Sequence, residues 1–325
     1  MEQDAVDAVA IGRNEGERLI ACLTSLRAAG VRRIVYVDSG STDGSAAAAA
    51  ALGAEVVPLD LSRPFTAARA RNAGLDRLGP DGADLVQMID GDCALAPGWL
   101  AAGRATLAAD PGLTAVCGRR RERFPVASVY NLLCDLEWNT PVGPARACGG
   151  DVLIRRAALT AIGGYRPDVI AAEDDEICQR LIAAGGRLAR IDAEMTRHDA
   201  AMTRFGQWWR RAVRAGHGFA QVGGLHPHYF VAERRRVWLW GAALPGAALA
   251  GLAAGWPALP AAAAGLYALS FARGLRRFRH AGLPPRQAAA CAGLIVLSKF
   301  PNLQGVLTWR LRQLRGRAAT IIEYK

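Results

Sequence analysis

The chain has 325 residues, of which 51% are hydrophobic and 21% charged, enough for a full-sized core and about two domains. Its formal net charge of +11 is unevenly spread: residues 1–199 carry 22 Lys+Arg against 27 Asp+Glu, and residues 200–325 carry 18 against 2. The seven cysteines stand singly, with no C-x-x-C and no Cys/His cluster, which argues against a zinc site or a disulfide scaffold and for a reducing compartment.

The opening "MEQDAVDAVAIG" has no basic n-region and no long apolar run, so no secretory signal is expected and the front half is expected to be cytosolic. "AVDAVAIG" reads as a first strand, and "RNEGERLIACLTSLRAAG" as a helix stopped at Gly30. The plan repeats. A strand over Ile34–Val37 is followed by a polar loop and an Ala-rich helix over 45–52, ended by Gly53. "AEVVPLDL" is a third strand, "FTAARARNAGLDRL" a third helix and "LVQMID" a fourth strand.

Alternation of this length implies an α/β fold with a doubly wound, mostly parallel sheet. Ligands bind such sheets at the carboxyl ends of the strands. The polar residues that follow strands are Arg13, Asn14, Glu15, Asp38, Ser39, Asp90 and Asp92, and they are expected to converge on one rim. No G-x-G-x-x-G follows the first strand and no P-loop lysine motif occurs, which disfavours a classical dinucleotide or P-loop fold.

The fourth strand ends in Asp90-Gly91-Asp92. Two close carboxylates repel unless a cation or a shared proton settles them. The sequence reads either as a polar turn or as oxygen ligands for a hard divalent cation that also takes substrate phosphates.

Taken together, "AIGRNEGERLIACLTSL", "VYVDSGSTDGS", "ARARNAGL", "MIDGDC", "CGGDVLIRRAAL", "IGGYRPD" and "EDDEICQRL" resemble, in order and spacing, the nucleotide-sugar domain of family 2 glycosyltransferases with the GT-A fold. The resemblance covers roughly residues 7–215. It implies that Asp38 binds the nucleotide base or ribose and that Asp90 and Asp92 hold Mn²⁺ or Mg²⁺ against the diphosphate. It also implies that Arg13, Asn14 and Ser39 line the donor pocket and that Arg71 approaches the nucleotide. In place of the family's usual Pro-Thr/Ala-Tyr-Asn entry stands Gly12-Arg13-Asn14-Glu15, so Glu15 is placed there by position alone.

"AAEDDEICQRL" carries four consecutive acids. They suit the positive end of a helix dipole. By the resemblance, alignment on Arg180-Leu181 puts Glu173 and Asp174 in the catalytic place and makes Asp174 the base that takes the acceptor proton. A one-residue slip would exchange it with Asp175. His198, after that helix, is implied to reach the metal or diphosphate, or is an ordinary surface histidine. Gln207, Trp208, Trp209, Arg210 and Arg211 resemble the Q-x-x-R-W element of membrane-bound relatives out of its strict order, and Arg210 and Arg211 are assigned to diphosphate or acceptor contacts.

Between Val237 and Ala272 there is no charged residue, while Arg234–Arg236 and Arg273, Arg276, Arg277 and Arg279 bracket the stretch. It is long for one crossing of about 20 residues and short for two, with a natural break at Gly255, Pro257 and Pro260. Arginine on both flanks suits a hairpin returning to the cytoplasmic side; a soluble Ala-rich helical pair is the other reading. "AAACAGLIVLSKFPNLQGVLTWRLRQLRG" reads as interfacial. The expected division is a GT-A nucleotide-sugar and catalytic domain over 1–215 and a basic, apolar, helical, membrane-associated region over 216–325.

The expected function is inverting transfer from a nucleotide-sugar donor to a hydroxyl, with a polyprenyl or other lipid-linked acceptor, at the cytoplasmic face of the inner membrane. A sugar nucleotidyltransferase would want a Gly-rich basic loop after the first strand, and "GRNEGE" is a poor one. A nucleic-acid binder would want a basic stripe with interleaved aromatics, whereas here arginines bracket apolar runs.

Overall fold

The computed structural model describes residues 5–316 and 320–323. The chain divides into two compact units: Met1–Phe124 with Cys134–Ala200, and Pro125–Leu133 with Ala201–Lys325.

In the first unit, Val6–Gly12 (β1), Ile34–Asp38 (β2), Glu55–Pro58 (β3) and Leu85–Asp90 (β4) are linked by helices Glu17–Ala28 (α1), Ser45–Ala51 (α2) and Ala67–Leu78 (α3). β1 and β2 are buried along nearly their whole length, as strands covered by helices on both faces must be. Gly74 of α3 lies so close to Val9 and Val37 that a Cβ there would overlap the Val9 side chain.

There follow Cys93–Leu95 (β5), Trp99–Ala109 (α4), Leu113–Glu122 (β6), Val129–Glu137 (α5), Gly143–Ala145 (β7), Val152–Arg155 (β8), Arg156–Ala161 (α6), Glu173–Ala183 (α7) and Arg187–His198 (β9). The sheet order is β3-β2-β1-β4-β8-β6-β9-β5, with β7 also on β9. The parallel pattern holds for β3-β2-β1-β4. Beyond β4 the sheet is mixed, because β8 runs antiparallel to both β4 and β6. The chain leaves β6 at the carboxyl rim and returns through β8 from that same rim.

Register then decides which side chains meet. Gly12 pairs with Asp38 and Ile11 with Asp90. Glu122 pairs with His198 across β6 and β9, and Cys93 with His198 across β5 and β9. β8 starts at Val152, which brings Asp151 beside the end of β4.

In the second unit, Phe205–Leu225 (α8) packs on Lys299–Leu314 (α13). A Cβ at Gly216 or Gly305 would strike the backbone of the facing helix, so the crossing depends on both glycines. Val231–Trp238 (α9) continues through a π-helical turn, Leu239–Ala243, into Leu244–Ala253 (α10). The chain breaks where the sequence expectation put it: Gly255 adopts φ 69°, and the Trp256 N–H closes the turn on the Gly251 carbonyl at 2.7 Å. Ala258–His280 (α11) and Pro285–Leu297 (α12) complete the unit.

Leu249, Leu252 and Trp256 are exposed, as are Leu259, Leu266 and Leu269 of α11. Two helical stretches among the described residues, Ala258–His280 and Pro285–Leu314, are long and apolar enough to cross a membrane. The 23 residues of α11 make a rod of about 35 Å. The second stretch, which the sequence reads as interfacial, is 30 residues long.

Candidate active site

Asp90, at the end of β4, places one oxygen 2.6 Å from Arg71 Nη2 and the other 3.1 Å from Arg120 Nη2. Arg71 also reaches Glu173 at 2.6 Å through Nη1. It is buried, with its guanidinium over the Tyr165 ring. The two acids beside it outweigh the cost of burial and keep it firmly charged. Arg71 and Arg120 likewise hold the Asp90 carboxyl well below the usual range, against the opposing effect of burial. Removing one partner from such a buried network strands the others. Arg71→Met is expected to lower unfolding stability by roughly 3–5 kcal/mol, read as a shift in the denaturant midpoint at unchanged slope.

Asp151 is the hub behind this pair. It is wholly buried and accepts the Asp90 N–H at 3.0 Å, Arg120 Nε at 2.9 Å and the Thr196 hydroxyl at 2.7 Å. Arg120, Asp151, Thr196 and Glu122 were not singled out from sequence. The available signals were an acid directly before the apolar run "VLI" and the alternation within "RRRER", which sends Arg120 and Glu122 to one face of β6.

Asp92 points elsewhere. Its Oδ2 lies 3.2 Å from His198 Nε2, and its Oδ1 accepts from the Cys93 thiol at 3.5 Å. His198 is buried edge-on to the Trp138 ring, with Nδ1 3.7 Å from a Glu122 oxygen. Burial, then the Arg120 charge, hold its pKa below the ordinary value although Glu122 opposes, which keeps a ring lone pair available at neutral pH. Groups of donor atoms converge at Asp92, Cys93 and His198, and at Asp90, Cys93 and Asp151. A carboxylate and a neutral imidazole at 3.2 Å are donors of the kind that Mn²⁺ or Mg²⁺ takes, so the residues fit a divalent cation.

The acid run opens α7 as its first turn. Glu173 turns inward to Arg71 and Glu176 to Arg180 at 2.8 Å. Asp174 is left half-exposed beside Gly149, with no ion pair among the described residues, and its Oδ1 accepts the Asp175 N–H at 3.0 Å. Burial of the surrounding rim, then the Glu173 charge, raise its pKa to about 6. The preceding residue, Ala172, sits at φ 58°, a left-handed conformation that costs a non-glycine residue free energy and is common at functional sites.

On the neighbouring strand ends, Asp38 is buried. It accepts the Tyr36 hydroxyl at 3.0 Å and the Gly40 and Ser41 N–H groups at 3.1 and 2.9 Å, so it shapes its own loop. Asn14, at φ 56°, accepts the Thr42 N–H at 2.8 Å. Glu15 pairs with Arg18 at 2.8 Å, Arg13 lies over the Phe65 ring, and Ser39 is buried with its N–H on the Gly12 carbonyl. The expected rim residues of the first unit are thus brought to one edge of the sheet. Arg210 and Arg211 lie on α8, in the second unit.

A mixed α/β sheet of this order has the GT-A fold. Residues 9–142 match the model of glycosyl transferase family 2. The pre-mycofactocin glycosyltransferase of Mycobacterium tuberculosis is 29% identical over 231 residues, 66% of this chain and 47% of that protein. The chain therefore spans about half the length of the curated relatives it matches.

Among solved structures, the mannosyltransferase PcManGT of Pyrobaculum calidifontis, in complex with GDP-Man and Mn²⁺, has a TM-score of 0.61 at 21% identity, covering 90% of this chain and 86% of that one. Mannosyl-3-phosphoglycerate synthase of Rubrobacter xylanophilus has a TM-score of 0.51 at 19% identity, over 69% and 75%. Glucosyl-3-phosphoglycerate synthase of M. tuberculosis, in complex with Mn²⁺ and UDP-glucose, has 0.50 at 17%, over 68% and 79%. At these identities the likeness is one of fold.

Proposed function

We propose that the chain transfers a sugar from a nucleotide-sugar donor to an acceptor hydroxyl with inversion at the anomeric carbon, at the cytoplasmic face of the inner membrane. The observation that carries this reading is Asp174, a carboxyl without an arginine partner among the described residues, held half-open on the rim with its pKa raised to about 6. Such a group is ionised at neutral pH yet basic enough to take a proton.

In this reading Asp174 accepts the acceptor proton as the new C–O bond forms on the face opposite the leaving diphosphate. Arg71 anchors Glu173, and with it the turn that presents Asp174. Asp92 and His198 hold a divalent cation, which when bound neutralises charge on the diphosphate. Asp90 stands behind that pair, fixed by Arg71 and Arg120. The Asp38 loop, with Arg13, Asn14, Glu15 and Ser39, receives the nucleoside, and Arg210 and Arg211 are assigned to diphosphate or acceptor contacts.

Titrating UDP- and GDP-sugars with and without Mn²⁺ tests the donor. A ligand that binds only the native state at about 100 times its Kd adds about 2.7 kcal/mol, so Tm is expected to rise for one donor class when the cation is present. The product's anomeric configuration tests the inversion: retention sinks the single displacement.

The acceptor is assigned to the lipid-linked class because of the second unit, where α10 and the part of α11 before Arg273 expose leucines along uncharged helix, with Trp256 exposed between them. The full chain is expected to stay in the membrane pellet through a wash in about 1 M salt, where charges more than about 3 Å apart are screened, and to leave only with detergent. Release by salt alone would mean that arginines hold it at the surface.

A further inference from the structure

Strand β6 ends in "RRRE", and its last residue, Glu122, is buried where the strand leaves the core. A carboxylate there needs hydrogen-bond donors, and the backbone supplies two. Oε1 accepts the Phe124 N–H at 3.0 Å, and Oε2 accepts the Ala200 N–H at 3.0 Å. The Glu122 N–H is in turn held by Asp135 Oδ1 at 2.9 Å. Backbone and carboxylate are thus fixed together.

Across the β6–β9 register stands His198, whose carbonyl accepts the Arg123 N–H at 2.8 Å. Its imidazole lies between two carboxylates. Nε2 is 3.2 Å from Asp92 Oδ2, while Nδ1 is 3.7 Å from Glu122 Oε2, beyond hydrogen-bond reach. Nδ1 is buried and has no hydrogen-bond partner. Trp138 packs against the ring at 4.7 Å and 86°, which restrains its tilt.

A neutral imidazole carries one N–H and one ring lone pair, so it satisfies one carboxylate at a time. As the side chains stand, Asp92 takes the Nε2–H. A cation held by Asp92 and His198 needs the Nε2 lone pair instead. The ring proton must then sit on Nδ1, where the facing oxygen is Glu122 Oε2.

We propose that Glu122 is a positioning residue for the cation site: it accepts the His198 Nδ1–H and so frees Nε2 for a divalent cation. One proton leaves Nε2 for solvent and one arrives at Nδ1, so the net charge of the ring is unchanged. Closing the gap from 3.7 Å to a usual hydrogen-bond length of about 2.9 Å takes a shift of about 0.8 Å. Oε2 keeps the Ala200 N–H, because a carboxylate oxygen has room for two donors. Metal-binding histidines commonly donate their second N–H to a carboxylate, which fixes tautomer and ring orientation. The role rests on the proposed cation site at Asp92 and His198.

The full chain is titrated with Mn²⁺ and the free ion read by paramagnetic resonance, with no turnover involved. Glu122→Gln is expected to weaken Mn²⁺ binding about 10–100-fold, as loss of such a support does. In a His198→Ala background the same substitution is expected to change it by less than about twofold, since no imidazole remains to be oriented. An equal loss in both backgrounds would mean that the carboxylate serves only its own loop, and would overturn the proposal. So would wild-type affinity in Glu122→Gln. The cation-free Tm checks each fold.

If Glu122→Gln does not fold, magnetic resonance of the wild-type chain decides alone. Labelled with ¹⁵N-histidine, it is loaded with Zn²⁺, which binds such sites more tightly than Mn²⁺ and leaves the ring signals visible. The signal lost in His198→Ala identifies that ring among the five histidines. A protonated Nδ1 and a bare Nε2 are expected, and an Nε2–H retained with the cation bound would overturn the proposal. Failure of the underlying cation site looks different: His198→Ala would then bind Mn²⁺ like the wild type.

Discussion

Asp174→Asn is expected to lower kcat by roughly 10²–10⁴, the span typical of a lost general base, with donor affinity nearly unchanged. The substitution keeps the size of the side chain and removes the proton acceptor. The wild-type pH profile carries the same signature. With the Asp174 pKa raised to about 6, kcat/KM should rise as the pH passes through about 6 and then level off, because only the ionised carboxylate accepts a proton.

Stability moves the other way. A carboxyl raised above its ordinary value of 3.8 supports the fold while protonated, and that support is lost as the pH rises through about 6. Asp174→Asn does not titrate. Its Tm should therefore exceed that of the wild type at pH 8 and approach it below pH 4, so inactivity cannot be blamed on unfolding. If Asp175→Asn shows the large fall in kcat and Asp174→Asn does not, the roles are exchanged between neighbours.

Local signals made the first four strands legible. The strand expected over Ile34–Val37 spans Ile34–Asp38, and the helix expected over 45–52 spans Ser45–Ala51. Glycine stops and the change of apolar period are written into short windows of sequence, so both ends fell within one residue. Long-range pairing is not written that way. Nothing near Val152 says that β8 will slot antiparallel between β4 and β6, since its partners Met88 and Val116 lie far away in the chain.

That gap hid half of the site. The Asp-Gly-Asp pair did require positive charge, as Coulomb repulsion demands, but Asp90 finds it in Arg71 and Arg120. The acid run was equally ambiguous in sequence. It does occupy the positive end of a helix, and the fold then sorts its members one by one. Glu173 goes to Arg71 and Glu176 to Arg180, while Asp174 stays half-open. Helical phase alone could not tell which acids an arginine would reach.

The same sorting predicts different consequences for the two acids of the Asp-Gly-Asp turn. Asp90 balances two buried guanidinium groups, so Asp90→Asn leaves them short of charge and is expected to cost roughly 3–5 kcal/mol of stability. Asp92 faces a neutral imidazole instead, and the fold is expected to survive Asp92→Ala. Mn²⁺ affinity should divide the pair in the opposite sense. Loss of a supporting contact around a metal typically costs about 10–100-fold in affinity, and loss of a ligand at least as much. Asp92→Ala and His198→Ala are therefore expected to weaken Mn²⁺ binding by at least about 100-fold, measured by paramagnetic resonance of the free ion without any turnover. Cation-dependent stabilisation by the donor should vanish with it. If Asp92→Ala binds Mn²⁺ like the wild type while Asp90→Asn does not, the cation sits against Arg71 and Arg120, and the assignment to Asp92 and His198 fails.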